Sequence, residues 1–188
     1  MNDTKLTKTF GRNYEILQLF LGDSGKEFYL SEAASELKIN KMSVYRALEQ
    51  MVEFELLESR SDNYKKFYKL RDSPLVKQLK ILVNLDSQVV EYLLKKCGSK
   101  SILIILYGSR ANGTDEKDSD WDFIIVSDIL DIVTINKTVS NLEKRYETQI
   151  NVKLYSKNEY SKVKANNTPF YQEVMTNMII LKGDTDEA

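Results

Sequence analysis

The spacing of apolar positions changes character twice along the chain. Tyr14, Ile16, Leu17, Leu19, Phe20 and Leu21 predict a helix over residues 10–21 that ends near Gly22. Met42, Tyr45, Leu48, Met51 and Val52 recur at helical spacing and predict a second helix over 41–54, with Asn40 placed to cap it. Between them, residues 28–30 are a short extended piece, and Ser31 is placed to cap a short helix over 32–37. Residues 56–60 and 66–70 are strand-like, separated by the polar turn Ser61-Asp62-Asn63-Tyr64. Pro74 suits the first turn of a further helix, and Leu75, Leu79, Leu82, Val89 and Leu93 form one stripe through residues 75–97. Asp86 interrupts that stripe and argues against a coiled-coil seam. The expectation is a connecting helix that packs on the following domain and contributes to a dimer.

After Gly98-Ser99-Lys100 the pattern turns to strands. Residues 102–107 are apolar on both faces, as in a strand buried within a sheet. Residues 120–126 place Asp120, Asp122, Ile124 and Val126 on one face and Trp121, Phe123 and Ile125 on the other. An amphipathic helix over 135–146 leads to a strand over 149–156. Two helices broken at Pro169 then precede an apolar strand over 178–181, and 184–188 read as a fraying acidic end.

Composition narrows the chemistry. The 188 residues are 42% apolar and 29% charged, ordinary for a globular protein. The longest apolar run is six residues, far short of a membrane span, and Met1-Asn2-Asp3-Thr4-Lys5 lacks the apolar core of a signal peptide. The single cysteine, Cys97, excludes an internal disulfide and reads as a packing residue. A cytoplasmic protein with no membrane association is expected. The absence of histidine removes Ser-His-Asp and Cys-His catalysis and histidine-ligated zinc together, leaving carboxylates, lysines and tyrosines.

Charge is unevenly placed in the first half. Residues 38–46 carry Lys38, Lys41 and Arg46 with no acid. Residues 59–71 carry Arg60, Lys65, Lys66, Lys69 and Arg71 against Asp62 alone, and Glu49, Glu53, Glu55 and Glu58 lie between these two segments. The stretch "YLSEAASELKINKMSVYRALEQMVEFELLESRSDNYKKFYKL", with its order of helix, short turn, helix, strand, turn, strand, resembles a winged helix-turn-helix DNA-binding domain. That resemblance implies a recognition helix and a basic wing on DNA, with Lys38, Asn40, Lys41, Ser43, Arg46, Arg60, Lys65 and Lys66 as the contacting residues. Tyr45 is divided between base contact and core.

The stretch "YGSRANGTDEKDSDWDFIIV" carries the chemistry of the second half. Gly108 allows a sharp turn and a close approach, and Ser109 offers a hydroxyl and an N–H. Asp120 and Asp122, two apart on a strand, stand roughly 6.5–7 Å apart on one face. Carboxylates held that close repel unless a cation lies between them, and Mg²⁺ takes oxygen ligands and brings phosphates with it. Gly108, Ser109 and Arg110 then face the phosphates of a nucleotide. The stretch from Gly108 through Asp120 and Asp122 into the apolar strand resembles the signature of minimal nucleotidyltransferases of the DNA polymerase beta superfamily. The resemblance implies transfer of a nucleoside monophosphate from a nucleoside triphosphate to an acceptor, with Ser109 on the phosphates and Asp120 and Asp122 on Mg²⁺.

That family uses a third carboxylate on a later strand, and in "QINVKLYS" its position falls on Asn151. An amide can lend a carbonyl oxygen to a metal but cannot serve as a base. Lys153, on the same strand face, is placed to neutralise phosphate charge. Losing a general base removes roughly 10²–10⁴-fold in rate.

The expected architecture is a two-domain α/β (α+β) chain. It comprises a winged helix over residues 1–72, a connecting helix over 73–98 and a mixed-sheet nucleotidyltransferase-like domain over 99–188. Two functions follow from it. One is a DNA-binding regulator that binds a metal–nucleotide with weak or no turnover, expected as a homodimer. The other is an active Mg²⁺-dependent nucleotidyltransferase with its acceptor undefined.

Overall fold

The computed structural model describes residues 5–188, and the chain divides between Asp86 and Ser87 into two compact units. The N-terminal residues read above for the absence of a signal peptide lie, apart from Lys5, outside the described residues. Among the described residues, no helix is long and apolar enough to cross a membrane.

The first unit begins with two helices, α1 (Lys5–Phe10) and α2 (Arg12–Leu21), where one was expected. Gly11, at φ 64°, takes a backbone conformation that other residues resist and so interrupts the run. Strand β1 (Phe28–Tyr29) leads directly into α3 (Leu30–Leu37). Tyr29 is the residue before that helix, so Ser31 sits inside it and is not its cap. Lys38 turns the chain in the left-handed region, and Asn40 caps α4 (Lys41–Glu53) by accepting from the Met42 N–H at 2.9 Å. A hairpin follows, β2 (Leu57–Asp62) and β3 (Lys65–Leu70), and β1 pairs with the other edge of β3 to complete a three-stranded antiparallel sheet.

The core of this unit is drawn from α2, α3 and α4 around Phe20, Ala33, Val44 and Leu48, closed by Phe28, Leu57 and Tyr68 from the sheet. Phe20 and Phe28 meet edge to face, with centroids 5.2 Å apart. Tyr68, wholly buried as a residue, directs its hydroxyl to the Glu49 carboxylate at 2.7 Å, and Lys66 donates to the same carboxylate at 2.6 Å. Burial and Glu49 together push the Tyr68 phenol well above its ordinary range.

The single helix expected over 75–97 is two. Helix α5 (Pro74–Leu85), capped by Ser73, belongs to the first unit, and α6 (Gln88–Cys97), capped by Ser87, belongs to the second. Asp86 and Ser87 end one helix and start the next, because a serine hydroxyl that accepts from Val90 N–H is a helix start. The buried face of α5 also differs from the expected stripe. Val76 is buried and Leu79 and Val83 pack on the first unit's core, whereas Leu75 and Leu82 are exposed.

In the second unit, a single 3₁₀ turn over Gly98–Lys100 leads to β4 (Leu103–Tyr107), a short helical turn α7 (Ser109–Asn112) and β5 (Trp121–Val126). Helix α8 (Ile132–Tyr146), capped by Asp131, crosses to β6 (Ile150–Tyr155). Helices α9 (Lys157–Asn166) and α10 (Pro169–Thr176) then return the chain to β7 (Ile179–Lys182). The sheet order is β6-β5-β4-β7, parallel between β5 and β6 and antiparallel elsewhere. This is the mixed-sheet α+β fold expected from the sequence. On one face Leu103, Ile105, Ile124 and Val126 pack under Tyr160 and Val174 of α9 and α10, with Phe170 and Tyr171 half-buried against them. Cys97 is buried, and burial pushes its thiol up, in keeping with a packing role.

The final residues are not frayed. Ala188 is buried in that core, Lys157 donates to the Glu187 carbonyl at 2.6 Å, and Lys164 donates to the Thr185 carbonyl. Gly183, at φ 81°, makes the turn after β7, where a Cβ would lie 2.1 Å from the Ile102 carbonyl oxygen.

Two predictions follow from this packing. Gly183→Ala is expected to destabilise the second unit by about 1–3 kcal/mol, since both the backbone conformation and the contact oppose it. Trp121, the only tryptophan, reports that unit's urea unfolding; an unchanged midpoint refutes the expectation. Lys66 and then Tyr68 hold the Glu49 carboxyl below its usual range. A depressed folded value gives stability that is present at neutral pH and disappears as pH falls through that value. Because the pair is about one-third exposed, Glu49→Gln is expected to cost a few tenths to about 1 kcal/mol near pH 7 and progressively less in acid. Hydrogen exchange of the α4 and β3 amides measures it; a cost independent of pH rules the ion pair out as the source.

Candidate functional site

Strand β4 ends at Tyr107, and Gly108 turns the chain with φ 75°. The positive φ alone favours glycine there, and a Cβ at this position would lie 2.6 Å from Asp122 Oδ2. The close approach expected of Gly108 is therefore to a carboxylate of the site itself. Ser109 begins the short turn α7 beside it and is half-buried.

Backbone pairing fixes the rest. Across the antiparallel ladder Tyr107 lies opposite Asp122, and across the parallel ladder Asp122 lies opposite Asn151. Paired residues project on the same side of a sheet, so the carboxylates and the amide meet. Asn151 Nδ2 donates to Asp122 Oδ1 at 3.0 Å and to Asp120 Oδ2 at 3.3 Å. The amide thus occupies the place between the carboxylates that a cation would take, and it relieves their repulsion without charge. Lys153 stands two residues along β6, its ammonium 3.9 Å from the centroid of the Phe170 ring. Phe170 in turn meets Tyr107 edge to face at 5.7 Å. Tyr107 has its phenol pushed up to about 12, first by burial and then by Asp122.

Arg110 does not join this group through its guanidinium, although it was expected among the phosphate-binding residues. The guanidinium lies 4.3 Å over the Trp121 ring, donates to the Ser119 carbonyl at 2.6 Å and pairs with Asp115 at 3.4 Å. Its side chain is only 11% exposed, and burial holds its pKa below the ordinary value against the pull of Asp115, Asp120 and Asp122. Its place is to hold the loop between α7 and β5. The Arg110–Asp115–Trp121 lock and the Phe170–Tyr107 wall were missed by sequence reasoning. The only signal for the first was an acid five residues after an arginine in a polar loop.

A divalent cation finds two carboxylates here and, if the Asn151 amide turned over, one amide oxygen. Among the described residues no group of three or more His, Cys, Asp or Glu side chains is placed to hold a metal. Such a set fits Mg²⁺ carried in by a nucleotide, since Mg²⁺ commonly uses one or two carboxylates with phosphate oxygens and water.

The basic residues of the first unit divide by their partners. Lys41, Ser43 and Arg46 lie exposed on α4, with Lys38 and Asn40 in the turn before it. Tyr45 is 38% exposed and outside the core. Arg60 is paired with Glu27, its Nε 3.0 Å from the carboxylate, and lies over the Phe67 ring. Lys66 is held by Glu49, while Lys65 stands 5.1 Å over the Tyr29 ring.

Residues 87–186 match the family model described as Polymerase beta, Nucleotidyltransferase. No curated protein matches the chain. Three solved structures are similar to parts of it. One is a variant of the toxin–antitoxin pair MntA-HpeT, with 23% identity over 53% of this chain and 73% of that one, at a TM-score of 0.38. Another is a toxin–antitoxin structure with AMP-PNP, with 25% identity over 52% and 75% and a TM-score of 0.38. The archaeal chromatin protein TrmBL2 shares 12% identity over 85% and 69%, at a TM-score of 0.30. The family model alone carries the assignment.

If the Asn151 amide is what holds Asp120 and Asp122 together, Asn151→Asp replaces a shared donor by a third carboxylate. In EDTA the variant is expected to lose about 1–3 kcal/mol of stability in the second unit, and millimolar Mg²⁺ is expected to restore much of it. Trp121 fluorescence during urea unfolding reads both. Equal midpoints for variant and wild type in EDTA refute the bridging role.

Proposed function

Because the chain belongs to the polymerase beta nucleotidyltransferase family, we propose that its second unit binds a magnesium–nucleoside triphosphate with little or no turnover. We further propose that its first unit is a winged helix-turn-helix that binds DNA, which makes the whole a nucleotide-responsive transcriptional regulator in the cytoplasm. In this reading Ser109 and the Gly108 turn face the phosphates, Asp120 and Asp122 hold Mg²⁺, and Lys153 balances charge beside them. When bound, the cation would neutralise phosphate charge and fix the orientation of the triphosphate.

The observation that carries the reading is the Asn151 amide between the two carboxylates. A base at that position would take the proton of an attacking hydroxyl, and an amide cannot. Lys153, the next residue on that face of β6, adds a positive charge where a proton acceptor is needed. Both features favour holding phosphates over transferring them. For the first unit, support comes from the exposed Lys41, Ser43 and Arg46 along one helix and the basic hairpin beside it. A homodimer is expected of such a regulator.

The second reading, an active nucleotidyltransferase, is favoured by one feature. Gly108 and the Asp120–Asp122 pair keep the spacing and the close contact that the transfer chemistry uses.

Calorimetry with Mg²⁺ and each nucleoside triphosphate, combined with a pyrophosphate assay, tests the proposal. Wild type is expected to bind in a Mg²⁺-dependent manner without releasing pyrophosphate, and Asp120→Ala to lose at least tenfold in affinity, about 1.4 kcal/mol. Pyrophosphate release that depends on Asp120 establishes the second reading. Absence of binding with all four nucleotides overturns both.

A further inference from the structure

Between α3, α4 and the β2–β3 hairpin lies a groove of about 240 Å³ lined by Tyr29, Lys41, Tyr45, Tyr64, Lys65 and Tyr68 among others. It is smaller than the roughly 300–1,000 Å³ of small-molecule sites, room for one planar ring and little more. Four tyrosines and three lysines are among the residues that line it. Among the described residues, the carboxylate bonded to lining side chains is Glu49, engaged by Lys66 and Tyr68, which leaves Lys41 and Lys65 to set the local charge.

The residue at the tip of the hairpin is the least expected one. Asn63 and Tyr64 both have positive φ, 45° and 64°, in a two-residue turn that ordinarily takes Asn-Gly. A bulky aromatic in that conformation is strained, and Tyr64 is fully exposed, so no packing offsets the strain. Tyr45, from α4, and Tyr64, from the hairpin, line the same groove, where Lys65 already stands over the Tyr29 ring.

Paired bases present only their edges, because their faces are stacked on neighbours. A groove lined by tyrosines matches a base that has left the stack and can stack on a ring, and flanking lysines match the phosphates on either side. We propose that this groove receives one unpaired base of a DNA strand, stacked among Tyr29, Tyr45 and Tyr64, with Lys41 and Lys65 on the adjacent phosphates. The proposal rests on the DNA-binding reading of this unit and specifies that its preferred DNA contains an unpaired base.

Fluorescence anisotropy of the full-length protein with one labelled oligonucleotide, single-stranded or annealed to its complement, tests it. The single strand is expected to bind more tightly than the duplex. Tyr64→Asn tolerates the turn and removes the ring, and it is expected to weaken single-strand binding roughly 5- to 150-fold, the range of one lost stacking contact. Tyr64→Trp is expected to bind as well as wild type or better. Duplex bound as tightly as single strand, with Tyr64→Asn unaffected, overturns this inference and leaves the DNA-binding reading standing. Failure to bind either form at low salt overturns both.

Discussion

The register of three strands is the constraint on which the candidate site depends. Asp122 is held opposite Tyr107 on one side and opposite Asn151 on the other, and each pairing is set by backbone hydrogen bonds within a buried sheet. A slip of one residue on either side would turn Asp122 away from its partners and set Trp121 or Phe123 in its place. The apolar residues that follow, Phe123 to Val126, are all buried, so the energy that fixes the carboxylates comes from the core and not from the site. Gly108 completes the constraint, since its φ of 75° favours glycine and a Cβ there would lie 2.6 Å from Asp122 Oδ2 and displace that carboxylate.

Within that frame, neutral hydrogen bonding replaces charge balance. Two carboxylates on one face ordinarily need a cation, and here an amide donates to both. An amide in that place relieves the repulsion of the carboxylates without adding charge. Arg110 shows the same economy in reverse. Its guanidinium, expected from the sequence on phosphate, is buried against Trp121 and Asp115, where it orders the loop that delivers Asp120.

The first unit handles charge differently. Lys65 and Lys66 are set against tyrosine rings, and Lys66 also against Glu49, so positive charge is presented beside aromatic side chains. Such a surface attracts phosphate through charge and bases through stacking.

Much of this was legible in the sequence, and for definable reasons. Helix α4 and its Asn40 cap, the buried strands β4 and β5 and the Asp-x-Asp face follow from local spacing, because periods of 3.6 and 2.0 are properties of a backbone with its nearest neighbours, whereas Asn151 was singled out by the resemblance to the family. The break between α5 and α6 was missed because Leu75 to Leu93 was read as one stripe despite Asp86, whereas Ser87 caps a new helix and the two helices belong to different units. The final residues looked polar enough to fray, yet lysines 157 and 164, more than twenty positions upstream, hold their carbonyls. Local sequence determined which residues share a face. Which faces meet, and hence that Asn151 bridges the carboxylates while Arg110 serves the loop, depends on contacts distant along the chain, and only the tertiary structure decides those.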